Sequence, residues 1–416
     1  MEVTVIEDGV DLAKKIIFGH SFNIGWLLKS LRENDLAYKK LHGNRGVKNV
    51  TASNVSAGKG FLSTVLRCTV TFVDTLDIYT TILKIPVMEI FPKGDNEKLK
   101  LSFIDCHKSE CDFYNKLAPI LDIPVPKVYK TVEWILDKQE GCVHMEDLTL
   151  RGKCLVFYEN INLTQVKCMI RHLAHMHKNV FSADPNIWKG EYLKRSKGLF
   201  DALDMFNASV DGFLEKCNHK QDFLPMITKY HKLCRNTDFY LYTFQQAHKD
   251  LKMPSVIVHG DMHPGNIMWS LDENGDVQND LAALVDWHLM HEGSPMSDLA
   301  QFLVLCCDGI VRRQAETFAI EYYFKCLVKE FGGDASKVPY TIEQLKKAYN
   351  YAYLTRALYI IGVMEYFVPG IEAHITDESI KAAFYESGAL RSLHALQDAD
   401  KLLQGELNDL FVKFSL

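Results

Sequence analysis

The sequence lacks any run of about 18 consecutive apolar residues, the length that a membrane-spanning helix needs. Its first residues include Glu7, Asp8 and Asp11 but no basic segment followed by an apolar one, so we expect no secretory signal. A basic excess is also missing, because 47 Lys and Arg oppose 53 Asp and Glu and leave a net charge of −6. We therefore expect neither a nucleic-acid nor a membrane partner.

Cysteines at metal-binding spacing are absent as well. The 11 cysteines are scattered, and no two of them are separated by two residues. An odd number of unpaired thiols is typical of a reducing compartment, so we expect a cytoplasmic protein.

The sequence does contain a clear change of character along its 416 residues, a length that predicts more than one packed unit. Before residue 150 the periodicities predict helices over 9–42, strands over 61–74 and 78–87, a helix over 102–121, and strands over 125–137 and 141–148. After residue 150 they predict mainly helices, beginning with 162–181, and one strand pair formed by 256–269 and 280–289. The expected fold class is α+β, with a small β-rich N-lobe over residues 1–145 and a large, mainly helical C-lobe over residues 146–416.

A polar cluster in the stretch "VIVHGDMHPGNIMW" predicts a chemical site. Asp261 and Asn266 lie five residues apart, with Pro264 and Gly265 forming a tight loop between them. Asp286 follows Asn266 by 20 residues, so a hairpin would return it to the same place. Carboxylate and amide oxygens suit Mg²⁺, and protein kinases use such a D-x-x-x-x-N loop with a metal-binding Asp.

Further elements precede this cluster in the order that a nucleotide site requires. The segment "SAGKGFLS", residues 56–63, precedes a strand and could fold over phosphates. Lys84 lies in a β-branched strand, where burial is costly unless an anion is near, and Glu110 lies in the next helix. The residues "MEDL", 145–148, end the last strand of the N-lobe, where an adenine-binding hinge would lie.

These motifs resemble a known family. "HGDMHPGN", "LVDW" and "SPMSDLAQF" resemble the aminoglycoside phosphotransferase and choline kinase superfamily. Within it, "GKGFLS", "SECDFYNKLAP", "HMEDL" and "DWHLMHEGSPMSDLA" are most similar to the animal CHK-kinase-like group, also called ecdysteroid-kinase-like proteins. The resemblance covers roughly residues 50–310. It implies a bilobal, protein-kinase-like fold and ATP- and Mg²⁺-dependent phosphorylation of a small-molecule hydroxyl, such as that of a steroid-like or other apolar alcohol.

The resemblance also implies roles for single residues. Asp261 would be the catalytic base, and Asn266 and Asp286 the magnesium ligands. Lys84, held by Glu110, would contact the α- and β-phosphates. The other implied ATP contacts are Ser56, Gly58, Lys59, Gly60, Glu146 and Leu148. His259 and Asp298 would support the catalytic loop. The loop has two glycines where protein kinases have three, so Ser56, Lys59 and backbone amides would take a larger share of the phosphate contacts.

Several alternatives remain open from the sequence. The acceptor could instead be polar, as for a choline, ethanolamine or sugar kinase, or the fold could be a catalytically silent binding protein. A metal site at His172, His175 and His177 is disfavoured, because no further ligand has a useful spacing. The roles of His263, His288 and His291 and the oligomeric state are left undecided.

Overall fold

The structure is a computed structural model, and it describes residues 12–55, 63–87, 97–157, 159–193, 207–372 and 375–415. The chain divides into two compact units. The first unit comprises Met1–Asn115 and Val125–Leu150, and the second comprises Lys116–Pro124 and Arg151–Leu416. The short segment 116–124 therefore packs with the second unit although both of its neighbours in the chain belong to the first.

The first unit is built on a five-stranded antiparallel sheet with the strand order β1-β2-β3-β5-β4. The strands are β1 (Val47–Asn54), β2 (Ser63–Phe72), β3 (Ile78–Pro86), β4 (Val128–Val132) and β5 (Cys142–Glu146). In β2 every second side chain, including Leu66, Cys68 and Val70, is buried. This alternation places one face of the sheet against the hydrophobic core.

Two helices cover that face. Helix α1 (Ile24–Asn34) begins at Asn23, whose side chain accepts the Trp26 N–H at 2.8 Å. Its residues Leu27 and Leu31 are fully buried in the same core as the sheet. Helix α2 (Leu36–Leu41) begins at Asp35, whose side chain accepts the Ala37 N–H at 2.9 Å.

The predicted helix over 102–121 is confirmed, with a local change of geometry. Helix α3 (Glu97–Asp112) continues as a π-helical turn over Phe113–Leu117 and as α4 (Ala118–Leu121). It ends at Asp122, which has a positive φ of 50°. Phe113 and Leu117 are buried, so the wider turn retains its apolar contacts.

The second unit is mainly helical. Its helices are α5 (Leu163–Ser182), α6 (Val210–Lys216), α7 (Lys220–Cys234), α8 (Thr237–Leu241), α9 (Ala247–Asp250), α10 (Ser297–Cys306), α11 (Gly309–Glu316), α12 (Ala319–Glu330), α13 (Ile342–Glu372), α14 (Glu378–Gln404) and α15 (Asn408–Ser415). Helix α5 begins with a reciprocal capping box between Asn162 and Gln165. All ten residues of α10 are buried, so this helix is the centre of the unit.

Short strands position the polar cluster in this unit. Strands β6 (Gly152–Cys154), β8 (Ile267–Leu271) and β9 (Val277–Leu284) form one antiparallel sheet in the order β6-β8-β9. The predicted strand pair is therefore confirmed for β8 and β9. It is wrong for β7 (Val256–Val258), which pairs instead with β10 (His291–Gly293), because the loop after β7 turns the chain away before β8 begins.

The α+β fold class predicted from the sequence, a β-rich N-lobe followed by a mainly helical C-lobe in the order of protein-kinase-like folds, is confirmed by this element order. Among the residues that the structure describes, no helix is both long enough and apolar enough to cross a membrane.

Candidate functional site

The loop after β7 carries the residues of "HGD". All three residues of β7 are buried inside the second unit, and His259 follows directly after them. Gly260 adopts φ 83°, and a Cβ placed on it would collide with the Leu289 carbonyl oxygen and lie 2.9 Å from His291 Nδ1. Glycine is therefore required at this position by both conformation and space.

Asp298, in the first turn of α10, fixes the backbone of this loop. Its Oδ2 accepts the His259 N–H at 2.8 Å, and its Oδ1 accepts the Gly260 N–H at 3.0 Å. The side chain is buried, which raises its pKa, while His259 and these two N–H groups act in the opposite direction. One buried carboxylate thus accepts hydrogen bonds from two consecutive backbone N–H groups of the turn.

His259 ties the loop to the end of β9. Its Nε2 donates to the Val285 carbonyl oxygen at 2.9 Å, and its Nδ1 accepts the Asp261 N–H at 3.2 Å. Both ring nitrogens are used by the neutral Nε2–H tautomer, and burial lowers the pKa of the ring. The geometry suits a structural anchor and leaves no ring nitrogen for proton transfer to a substrate.

Asp261 and Asn266 are brought together by the turn between them. Asn266 Nδ2 donates to the Asp261 carbonyl oxygen and to Asp261 Oδ2, each at 3.0 Å. Since the amide nitrogen makes both bonds, Asn266 Oδ1 is directed elsewhere and is suited to a cation. Residues Pro264–Asn266 form a single 3-10 turn, which makes this close approach possible.

Asp286 lies beside the same turn. The Val285 N–H donates to the Asn266 carbonyl oxygen at 3.0 Å, so Asp286, the next residue, lies next to Asn266. Asp286 has a left-handed backbone, with φ 65° and ψ 64°, and its carboxylate accepts from His288 Nδ1. A left-handed conformation costs a non-glycine residue about 1 kcal/mol and is concentrated at functional positions. Asp261, Asn266 and Asp286 therefore converge as the sequence predicts.

The three histidines that the sequence left undecided have distinct positions. His263 Nδ1 accepts the Gly265 N–H at 3.1 Å, and its Nε2 lies 3.5 Å from Asp261 Oδ2. His288 contacts Asp286, and His291 Nδ1 donates to the Leu289 carbonyl oxygen at 3.0 Å from buried strand β10. The sequence assigned no role to His263 or His288, because side-chain direction in an irregular loop has no periodic signal.

The charges around Asp261 determine its protonation. Burial alone would raise the pKa of Asp261, but His263 beside it and, more weakly, His288 lower the pKa to about 2. The Asp261 carboxylate is therefore ionised at neutral pH. An ionised carboxylate can accept a hydrogen bond from a hydroxyl group.

A second pair of predicted residues meets in the first unit. Lys84 Nζ on β3 lies 2.7 Å from both oxygens of Glu110 on α3, and the two side chains are 11% and 3% exposed. Glu146 at the end of β5 accepts the Lys127 N–H at 2.9 Å, and Leu148 is buried. The remaining predicted ATP contacts, Ser56, Gly58, Lys59 and Gly60, lie outside the described residues.

The residues best suited to hold a metal ion are Asn266 and Asp286. Among the described residues, no group of three or more His, Cys, Asp or Glu side chains could hold a metal ion. His177 in particular contacts the Tyr323 hydroxyl at 2.7 Å, and burial lowers its pKa to about 3. Two oxygen ligands fit Mg²⁺, which takes its other ligands from phosphate and water.

A family profile, DUF1679, described as "Uncharacterized oxidoreductase dhs-27", matches residues 78–399. The chain is 23% identical over 363 residues to the "Uncharacterized oxidoreductase dhs-27" of Caenorhabditis elegans, covering 83% of this chain and 42% of that protein. It therefore spans less than half of that relative. It is also 23% identical to the "Uncharacterized kinase-like protein D1044.1" of the same organism, covering 72% of this chain and 75% of that protein.

Among solved structures, a choline kinase from Cryptosporidium parvum aligns with a TM-score of 0.48 and 13% sequence identity. The alignment covers 92% of this chain and 99% of the choline kinase.

Proposed function

The chain belongs to the DUF1679 family, the CHK-kinase-like family that its motifs predict, and we propose that it is an ATP-dependent small-molecule kinase. It transfers the γ-phosphoryl group of ATP to a hydroxyl of a small metabolite, with a steroid-like or other apolar alcohol as the favoured acceptor class. The observation that carries the proposal is the convergence of Asp261, Asn266 and Asp286 around one turn.

Asp261 acts on the acceptor. Because its carboxylate is ionised, it accepts a hydrogen bond from the acceptor hydroxyl and orients that oxygen toward the γ-phosphorus. As the new O–P bond forms and the bond to the β–γ bridging oxygen breaks, the hydroxyl proton passes to Asp261 Oδ and ADP leaves. A pKa of about 2 makes Asp261 a weak base, so the proton moves late, when the attacking oxygen has become acidic.

Asn266 and Asp286 would hold the magnesium ion. Asn266 Oδ1 and the Asp286 carboxylate would be the oxygen ligands, and the hydrogen bond from Asn266 Nδ2 to Asp261 turns the amide oxygen away from Asp261. A bound Mg²⁺ would supply positive charge to neutralise the phosphate oxygens. The left-handed backbone of Asp286 and its contact with His288 hold the carboxylate in place.

The nucleotide contacts proposed for the first unit rest on a preorganised ion pair. Glu110 holds the Lys84 ammonium with two 2.7 Å bonds, so the cation is fixed before any phosphate binds. In this proposal Lys84 contacts the α- and β-phosphates, the backbone of Glu146–Leu148 contacts adenine, and residues 56–60 cover the phosphates.

The name of the longer relative raises an oxidoreductase as a rival. A dinucleotide-binding fold requires a parallel sheet with helical crossovers. Every strand pair within the described residues is antiparallel. This arrangement favours the kinase for this chain, whatever the rest of that relative does.

A screen of ATP consumption across sterols, other apolar alcohols, choline, ethanolamine and sugars tests the proposal. We expect turnover with at least one hydroxylated compound and its loss in Asp261→Asn and Asp286→Ala. Asp280→Asn, an exposed position on the β9 strand of the same hairpin, serves as the matched control and should retain turnover. Full activity in purified Asp261→Asn would contradict the mechanism. The absence of a thermal shift with ATP and Mg²⁺ would favour a silent binding protein.

A further inference from the structure

The second unit contains a cavity of about 160 Å³ between α7 and the two long helices α13 and α14. Its buried wall is formed by Tyr230 on α7, Leu358 and Ile361 on α13, and Leu396 on α14. None of Asp261, Asn266 or Asp286 lines it. The cavity is therefore separate from the polar cluster described above.

The outer wall of the cavity is apolar but only half-buried. Met226 and Ile227 on α7 line it and retain partial exposure to solvent. Exposing such side chains in a concave surface leaves apolar area in contact with water, which is unfavourable unless the space is filled. Polar side chains, Asp211, His231 and Arg235, are exposed at its mouth. An apolar interior with a polar mouth is the pattern of a small-molecule site.

The volume limits the ligand. A buried cavity of about 150 Å³ accommodates benzene, whereas drug-sized ligands occupy roughly 300–1,000 Å³. A cavity of about 160 Å³ therefore admits one small ring system and excludes a steroid nucleus. Its walls offer the rings of Tyr230 and Tyr359 and the sulfur atoms of Met226 and Cys234, all of which make favourable contacts with an aromatic ring.

We propose that this cavity is a binding site for a compact, neutral aromatic molecule with one polar substituent, distinct from the acceptor site of the proposed kinase. The aromatic ring lies against Tyr230, Tyr359 and Met226. Because the mouth offers both an acidic and a basic side chain, Asp211 and Arg235, it matches a neutral polar group better than a charged one.

Indole is the probe that tests this inference, because it is a neutral aromatic with one N–H donor and has no hydroxyl to phosphorylate. Binding to the full chain is measured by calorimetry and by protein-observed NMR, without nucleotide. We expect saturable binding that persists in Asp261→Asn. This binding does not depend on whether the chain is a kinase. A failure of the cavity proposal can therefore be distinguished from a failure of the proposed kinase function.

Ile227→Trp fills the cavity and should weaken indole binding at least tenfold. The matched control is Leu224→Trp, an exposed position on the same helix that does not line the cavity, and it should leave the affinity unchanged. Met226→Trp is a second filling variant for use if Ile227→Trp is poorly folded by circular dichroism. No saturable binding to the wild type, or equal binding to folded filling and control variants, would overturn the proposal.

Discussion

The side-chain amide of Asn266 donates a hydrogen bond to the carboxylate of Asp261, with 3.0 Å between Nδ2 and Oδ2. This bond fixes the carboxylate and, at the same time, sets the direction of the amide oxygen. One contact therefore orients both the proposed base and a proposed metal ligand.

Asn266→Ala should lower turnover by about 100-fold, because a loosely held catalytic group loses its attack geometry. It should also weaken the binding of ATP with Mg²⁺ in calorimetry. Asn274→Ala, in the exposed turn between β8 and β9, is the control and should change neither value. Wild-type turnover in Asn266→Ala would show that this bond is not needed.

Gly260 and Gly275 have nearly the same backbone conformation, but only Gly260 lacks space for a side chain. Comparing substitutions at the two positions therefore distinguishes the cost of conformational strain from the cost of a steric clash. Gly260 and Gly275 have φ of 83° and 85°, but a Cβ on Gly275 would meet nothing within 4 Å, whereas one on Gly260 would collide with Leu289. Gly275→Ala should cost about 1 kcal/mol of unfolding free energy. Gly260→Ala should cost at least about 2 kcal/mol more of unfolding free energy and remove turnover, since the loop that contains Asp261 must move. Chemical denaturation and the kinase assay measure these effects, and equal losses in both variants would refute the steric argument.

Removing Glu110 should destabilise the first unit. Glu110→Ala leaves the Lys84 ammonium buried without its carboxylate, which typically costs about 3–5 kcal/mol. Replacing both partners, by Lys84→Met with Glu110→Leu, should recover most of that stability but no turnover. The exposed pair Lys29–Glu33 provides the control, and Glu33→Ala should change stability by less than about 1 kcal/mol. A neutral effect of Glu110→Ala in thermal unfolding would contradict this account.

His175 should make stability depend on pH. Burial lowers the pKa of its ring, but the hydrogen bonds to Glu330 at 2.9 Å and to Asp122 at 3.2 Å outweigh burial and raise the pKa. A raised pKa means that the stabilisation is fully present below the unfolded value of about 6.5 and is lost as the pH rises through the folded value.

We therefore expect His175→Gln to lower the free energy of unfolding by about 0.5 kcal/mol more at pH 5.5 than at pH 9, as measured by urea unfolding. Exposed His231 is the control position, where His231→Gln should show no such difference. An equal loss of unfolding free energy at pH 5.5 and at pH 9 in His175→Gln would refute the prediction.

The candidate site was predictable where local sequence controls geometry. Pro264 and Gly265 force a turn, and a turn of that length brings Asp261 and Asn266 together. Asp286 was predictable because the β-branched and apolar residues of β8 and β9 specify a hairpin, and hairpin register fixes which residues lie opposite each other. Lys84 was predictable because it is the only charge in an otherwise apolar strand and such a charge needs a partner, and Glu110 was predictable as an acidic residue in the helix that follows.

Other features were not predictable from local sequence. Strand β1 has no clear apolar alternation, because Lys48, Asn49 and Ser53 interrupt it, and it pairs as the outer strand of the sheet. The pairing of β7 with β10 joins segments more than 30 residues apart, each only three residues long, so neither carries enough residues to show a period. The transfer of segment 116–124 to the second unit has no compositional signal either.

The sequence by itself determined the α+β class, the order of the main elements and the identity of the residues around the turn at 261–266, because periodicity, turn residues and isolated charges act over short distances. Only the tertiary structure decided that His259 anchors the loop, that His263 faces Asp261, and that a cavity lies beside Tyr230. Side-chain direction in irregular loops and the spaces between helices depend on packing between distant segments, and no local pattern records that packing.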